Sequence, residues 1–138
     1  MTEKKKKVNK ATWVKGVLRR ASLAWPARTE CIRLARVERG LYKCAMCGEL
    51  FKQKEIQVDH INPVIDAVDG FTGWDDYINS LFCEIDNLAA VCRVCHESKT
   101  AMEVQMRKMA RARRKEQELD EEIQNRIWKP VKEPEDDK

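Results

Sequence analysis

The chain has 138 residues, 43% of them hydrophobic and 36% charged, with six cysteines, two histidines and a net charge of +4. That length supports one modest domain whose core is thin enough for a structural metal to matter. No apolar run approaches the roughly 20 residues a membrane crossing needs, and no apolar stretch follows the lysines at 4–7 as it would in a secretory leader, so a cytoplasmic protein with no membrane partner is expected.

The net charge conceals its distribution. Residues 1–43 carry 13 basic and 3 acidic groups, 44–96 carry 3 and 9, 97–115 carry 7 and 2, and 116–138 carry 4 and 9. Basic arms flank an acidic centre, a pattern that suits gripping phosphates by counterion release while attracting a divalent cation.

In chain order, residues 1–10 are lysine-rich and aperiodic, which predicts a disordered arm that either brushes a nucleic-acid backbone or only solubilises the chain. Over 11–43 the pattern predicts basic helices. Val14, Val17, Leu18, Ala21 and Trp25 recur at helical spacing, and after Pro26 a second helix is expected over 27–39, ended by Gly40. Its Arg33, Arg36 and Arg39 stand three apart, either a stripe that tracks a phosphate backbone or an ordinary solvated face. Glu55–Ile61 alternates as a strand ended by Pro63, and Leu88–Cys92 can form a second. Between them a loop with one short helix is expected, with Trp74, Tyr77 and Leu81 turned inward. A long helix begins near His96 and continues through Leu119, Ile123 and Ile127 toward Trp128, its Met102, Met106 and Met109 on one side for packing. Pro130, Pro134 and the acidic run 133–137 predict a disordered tail that shields the basic face or binds a protein.

Two Cys-x-x-Cys pairs, Cys44/Cys47 and Cys92/Cys95, offer four thiolates at the spacing a tetrahedral structural Zn²⁺ needs. Four of six cysteines in this arrangement, in a reducing compartment, speak for metal thiolates over disulfides; Cys31 and Cys83 are expected to be small buried hydrophobes. The loop of about 44 residues between the pairs is longer than a compact zinc ribbon requires. Inside it lie Asp59-His60 and Asp86-Asn87-Leu88, and His96 directly follows the last cysteine, so both histidines of the chain fall within this framework or at its edge.

Cys44, Cys47, Asp59, His60, Pro63, Asn87, Leu88, Cys92, Cys95, His96 and Lys99 together resemble the HNH endonuclease family in its four-cysteine form. The resemblance implies an α+β fold: a small ββα-metal (HNH, His-Me finger) core with a structural zinc site over 44–115, N-terminal helices before it, and a long C-terminal helix ending in an acidic segment over 116–138. The stretches Trp25-Pro-Ala-Arg28 and Ala35-Arg-Val-Glu-Arg-Gly-Leu-Tyr42 also resemble the lead-in of short HNH proteins of tailed bacteriophages, which would put the protein in the host cytoplasm.

The resemblance further implies the site. His60 is the general base, and Asp59 and His96 hold one catalytic ion, Mg²⁺ or Mn²⁺ with other divalent ions tolerated. Asn87 ties the Asp59-His60 loop in place and in some relatives touches the metal. Lys99-Thr100 stands where some relatives have a further ligand, so a third protein ligand stays open and Lys99 is taken as a phosphate contact. The activity implied is metal-dependent hydrolysis of DNA to 5′-phosphate and 3′-hydroxyl ends. Two alternatives remain: an inactive zinc-stapled nucleic-acid-binding module, or an accessory factor of phage DNA packaging that docks a protein through its terminal helices or acidic tail.

Overall fold

The computed structural model describes residues 7–127; most of the basic arm, Trp128, Pro130, Pro134 and the acidic run 133–137 lie outside the described residues. Four helices and two small antiparallel sheets make the expected α+β architecture. None of the described helices is long and apolar enough to cross a membrane.

Helix α1 (Lys10–Ser22) starts where Asn9 accepts a hydrogen bond from the Thr12 N–H at 3.2 Å, an N-cap that satisfies one of the free amides of the first turn. It stops three residues short of Trp25. The residue before a proline is steered to extended backbone, and Trp25 accordingly sits at φ −63°, ψ 128° as N-cap of α2 (Pro26–Ala35), with Pro26 in the first turn. Trp25 then anchors across the fold: its indole Nε1 donates to the Cys83 carbonyl at 2.8 Å and its ring meets Phe82 edge-on at 5.4 Å.

The second helix ends at Ala35, not Arg39. Strands β1 (Arg36–Glu38) and β2 (Leu41–Lys43) turn back on each other around Gly40, whose φ of +80° few other residues accept, and the turn buries Tyr42. Helix propensity is a weak preference, and here the burial of an aromatic ring overrides it. The stripe of Arg33, Arg36 and Arg39 therefore does not exist as one helical face: Arg33 belongs to α2, Arg36 to β1 and Arg39 to the turn.

Strand β3 (Leu50–Phe51) pairs with β2, Tyr42 opposite Phe51, so Cys44 to Gly48 form the tip of a hairpin. Strands β4 (Ile56–His60) and β5 (Leu88–Cys92) form the second sheet, registered from Ile56 opposite Cys92 to His60 opposite Leu88. The Ala45 N–H donates to the Ala90 carbonyl at 2.8 Å and joins the hairpin tip to β5. Helix α3 (Trp74–Leu81) lies in the connection between β4 and β5. It buries Tyr77 and Leu81 as expected, while Trp74 is 38% exposed with its ring edge-on to Phe71 and Tyr77.

Helix α4 (Arg93–Ile127) begins two residues before the second knuckle closes, which puts Cys95 in its first turn, and runs 35 residues without burying one. Met102, Met106 and Met109 are exposed, contrary to a packing role within the chain. The main core gathers Cys31, Tyr42, Cys44, Ile56, Leu88, Ala90, Val91 and Cys92. Only four of these eight side chains are large, each worth roughly 1.5–3 kcal/mol when buried, so a cross-link between hairpin tip and β5 has much to contribute.

Candidate functional site

That cross-link is built from the four cysteines. Their sulfurs lie within 4.8 Å of one another, drawn together by the Cys44–Gly48 turn on one side and the start of α4 on the other. Gly48 closes the first turn at φ +75°, with its N–H donating to the Cys44 carbonyl at 3.0 Å. The Cys92 N–H points at Cys44 Sγ (3.3 Å) and the Cys95 N–H at Cys92 Sγ (3.5 Å), the donors that thiolates need. Burial pushes the Cys44 thiol up, but the backbone N–H groups of Cys47, Cys92 and Met46 outweigh it and hold the group at about 6. Hydrogen bonding to Cys92, then burial, push Cys95 up to about 12. One sulfur thus carries charge while a neighbour keeps its proton, an arrangement that a dication completes by displacing protons. Four cysteines are positioned to bind a metal, and an all-sulfur tetrahedral set is the chemistry of structural zinc. Cys31 and Cys83 stand outside the set; burial raises the Cys31 thiol, as befits a packing residue.

Beside this centre, β4 ends at a cleft of about 770 Å³ walled by α4, α2 and the loop 63–71. Successive strand residues face opposite ways, so Asp59 turns toward α4 and His60 toward the end of α3. Asp59 Oδ1 lies 3.8 Å from His96 Nε2. Two donors on one ion at about 2.0–2.2 Å each can stand no further than about 4.4 Å apart, so this pair can share a cation.

His60 is buried, with Nε2 3.1 Å from the Leu81 carbonyl oxygen. A carbonyl only accepts, so Nε2 carries the proton and Nδ1 keeps the lone pair. Burial pushes the imidazole below its ordinary value of 6.5, ahead of the opposing bond to Leu81, so the ring is neutral near pH 7. Asn87 clamps the turn after β4: its Oδ1 accepts the Asn62 N–H at 2.9 Å, its Nδ2 donates to the Asn62 carbonyl at 3.4 Å, and its own carbonyl takes the Ile61 N–H at 2.8 Å. Its amide is spent on positioning the strand end that carries Asp59 and His60.

Lys99 is engaged within the fold. Its Nζ lies 2.6 Å from Asp59 Oδ2 and 3.3 Å from Glu103 Oε1, and donates to the His60 carbonyl. Arg33, Arg36 and Arg39 do not line the cleft; Arg33 is paired with Glu30 at 2.7 Å and Arg36 bonds the Glu38 carbonyl. The cleft instead gathers residues to which sequence reasoning gave no part in the site. Glu103 lies one turn beyond Lys99, and Arg19, Arg28, Arg107, Arg111 and Arg114 supply positive charge around the acidic pair. Arg28 is held by the Val58 carbonyl at 3.0 Å, and Arg114 by that of Val68. The i, i+4 spacing of Lys99, Glu103 and Arg107 was a usable signal for the α4 part of this wall. Arg28 stands in the Trp25–Arg28 stretch and Arg19 on the polar side of the first helix, but neither position pointed to this cleft.

Residues 44–102, a little under half of the chain, match the family model described as HNH endonuclease. No curated protein and no solved structure matches the chain.

Proposed function

We infer that residues 44–102, which match the HNH endonuclease model, make this chain a member of that family, and from that premise we propose that the protein is a metal-dependent endonuclease that hydrolyses DNA phosphodiester bonds. The observation that carries the reading is the convergence at one cleft of a carboxylate and an imidazole 3.8 Å apart with a neutral, buried histidine whose tautomer is held by a carbonyl. Asp59 and His96 would hold a divalent cation, Mg²⁺ or Mn²⁺, which when bound supplies charge neutralisation at the scissile phosphate and the departing 3′ oxygen. His60 takes a proton from the attacking water at Nδ1, and the Leu81 carbonyl steadies the ring as it becomes cationic. Arg19, Arg28, Arg107, Arg111 and Arg114 grip the flanking phosphates and keep the strand in register with the base. Lys99 holds Asp59 toward α4 and orients its second oxygen for the ion. Asn87 acts through the strand end it clamps. The products are a 5′-phosphate and a 3′-hydroxyl.

The deciding experiment is incubation of supercoiled plasmid with the protein in Mg²⁺, Mn²⁺ or EDTA. Nicked product in the metals, its absence in EDTA, and its loss in His60→Ala with zinc retained are the results expected. An uncut plasmid in every metal sinks the reading. A second reading, a zinc-stapled DNA-binding module without activity, is favoured by one observation: Lys99 already neutralises Asp59. It predicts plasmid retardation in a gel with no cleavage. Origin in a tailed bacteriophage, with a role beside DNA packaging, is the setting we propose on the resemblance of the Trp25–Arg28 and Ala35–Tyr42 stretches.

A further inference from the structure

Beyond its first turns, α4 meets the rest of the fold along one side. His96, Lys99, Glu103, Arg107 and Ala110 face the cleft, while Met102, Met106, Met109, Leu119, Ile123 and Ile127 are 44% to 79% exposed. Each helical residue turns by about 100°, so these apolar residues lie roughly a third of a turn away from the cleft side. Met102, Met109, Glu116 and Ile123 repeat every seven residues, as do Met106, Arg113, Asp120 and Ile127, with Ala112 and Leu119 filling the intermediate positions. This is the repeat of a two-helix seam, apolar at both ends and polar in the middle, sustained for close to four heptads.

The charges say what lies against it. Six basic residues fall between 107 and 115 and five acidic ones between 116 and 122. Such blocks set like charges on neighbouring turns of a lone helix, which is unfavourable. They become complementary when a second copy of the helix runs antiparallel. Met102 then stands opposite Ile127 and Met106 opposite Ile123, while at the centre Arg113 meets Glu116. Neither Arg113 nor Glu116 has an ion-pair partner among the described residues; those in this part of α4 are Arg107 with Glu103 and Arg126 with Glu122. A parallel pairing in register would instead stack Glu116 on Glu116 and arginine on arginine.

We propose that two copies of this chain associate through α4, antiparallel, about a two-fold axis between Arg114 and Lys115. Methionine–isoleucine contacts close each end, and two symmetry-related Arg113–Glu116 pairs at the centre select the register, the role that polar residues take in a helical seam. The pairing needs only the helix and stands apart from the nuclease reading. It carries two clefts in one particle.

Sedimentation equilibrium of the full chain at micromolar concentration tests it. A dimer is expected. Arg113→Glu alone and Glu116→Arg alone each set like charges together twice and should raise the dissociation constant about tenfold or more. The double variant Arg113→Glu/Glu116→Arg restores opposite charges and should return toward the wild-type value, with circular dichroism checking that every variant keeps its helix. A monomeric wild type overturns the proposal. So does a dimer indifferent to the single reversals, or a double variant as weak as the singles. Variants that change DNA retardation while the mass stays monomeric would assign the basic block to nucleic acid instead.

Discussion

His60 Nε2 lies 3.1 Å from the carbonyl oxygen of Leu81, a contact that spans 21 residues and joins the end of β4 to the end of α3. It commits the ring proton to one nitrogen and leaves the other basic. His60→Ala is expected to fold and retain zinc yet lose about 10²- to 10⁴-fold in cleavage rate. Because burial pushes the imidazole below 6.5, the acid limb of the rate profile should fall below that value, with the base fully active by pH 7. The same shift has a stability consequence. The unfolded chain binds this proton first, so the contribution of neutral His60 is present above pH 6.5 and is lost as pH falls toward the folded value. Melting temperatures of wild type and His60→Asn between pH 5 and 7 measure it; parallel curves would discard the assignment.

Removal of the structural metal should unfold the centre and not merely slow the reaction. The four sulfurs join the hairpin tip to β5 and α4 across a core with few large side chains. Cys92→Ser, or a strong chelator on the wild type, is expected to abolish the cooperative melt. Wild-type melting together with wild-type zinc content in the variant is the result that contradicts this.

Asn87 makes two side-chain hydrogen bonds to the Asn62 backbone and hydrogen-bonds to the side chain of neither Asp59 nor His60. Asn87→Ala should cost about 1–3 kcal/mol of stability and reduce cleavage with a smaller effect on DNA binding. Asn87→Asp keeps the oxygen that accepts the Asn62 N–H and should recover part of the loss. Equal activity of the Ala and Asp variants, with stability unchanged, would remove its positioning role.

Lys99 stands between Asp59 and Glu103, and its loss leaves two carboxylates facing each other. Lys99→Met should melt lower than wild type when both are zinc-loaded and no other divalent ion is added, by roughly 1–2 kcal/mol for a partly buried ion pair. Mn²⁺ should restore it more than it stabilises the wild type, because a dication replaces the ammonium. Differential scanning fluorimetry with and without Mn²⁺ reads both effects, and an identical metal response in the two proteins contradicts the account.

The metal staple and the family are legible in the chain itself. Cys-x-x-Cys spacing is a local property, since a turn of that length brings its two sulfurs together wherever it sits, and His96 travels with the second of those turns. The β4 and β5 strands were likewise readable, the first because Ile56 and Val58 alternate with Gln57 and Asp59, the second as the short apolar run Leu88–Cys92. The end of α2 was not. Arg33, Arg36 and Arg39 are helically spaced, yet the weak helical preference of this stretch yielded to the burial of Tyr42 in a hairpin, an energy that depends on residues elsewhere in the fold. The cleft was decided by tertiary structure as well. Arg28 reaches it by bonding a carbonyl 30 residues away, and Glu103 reaches it only because α4 crosses the end of β4 at Lys99. Short-range spacing determines which side chains a single turn or helix face can bring together; which turns and faces then meet is decided by long-range packing, where apolar burial outweighs local propensity.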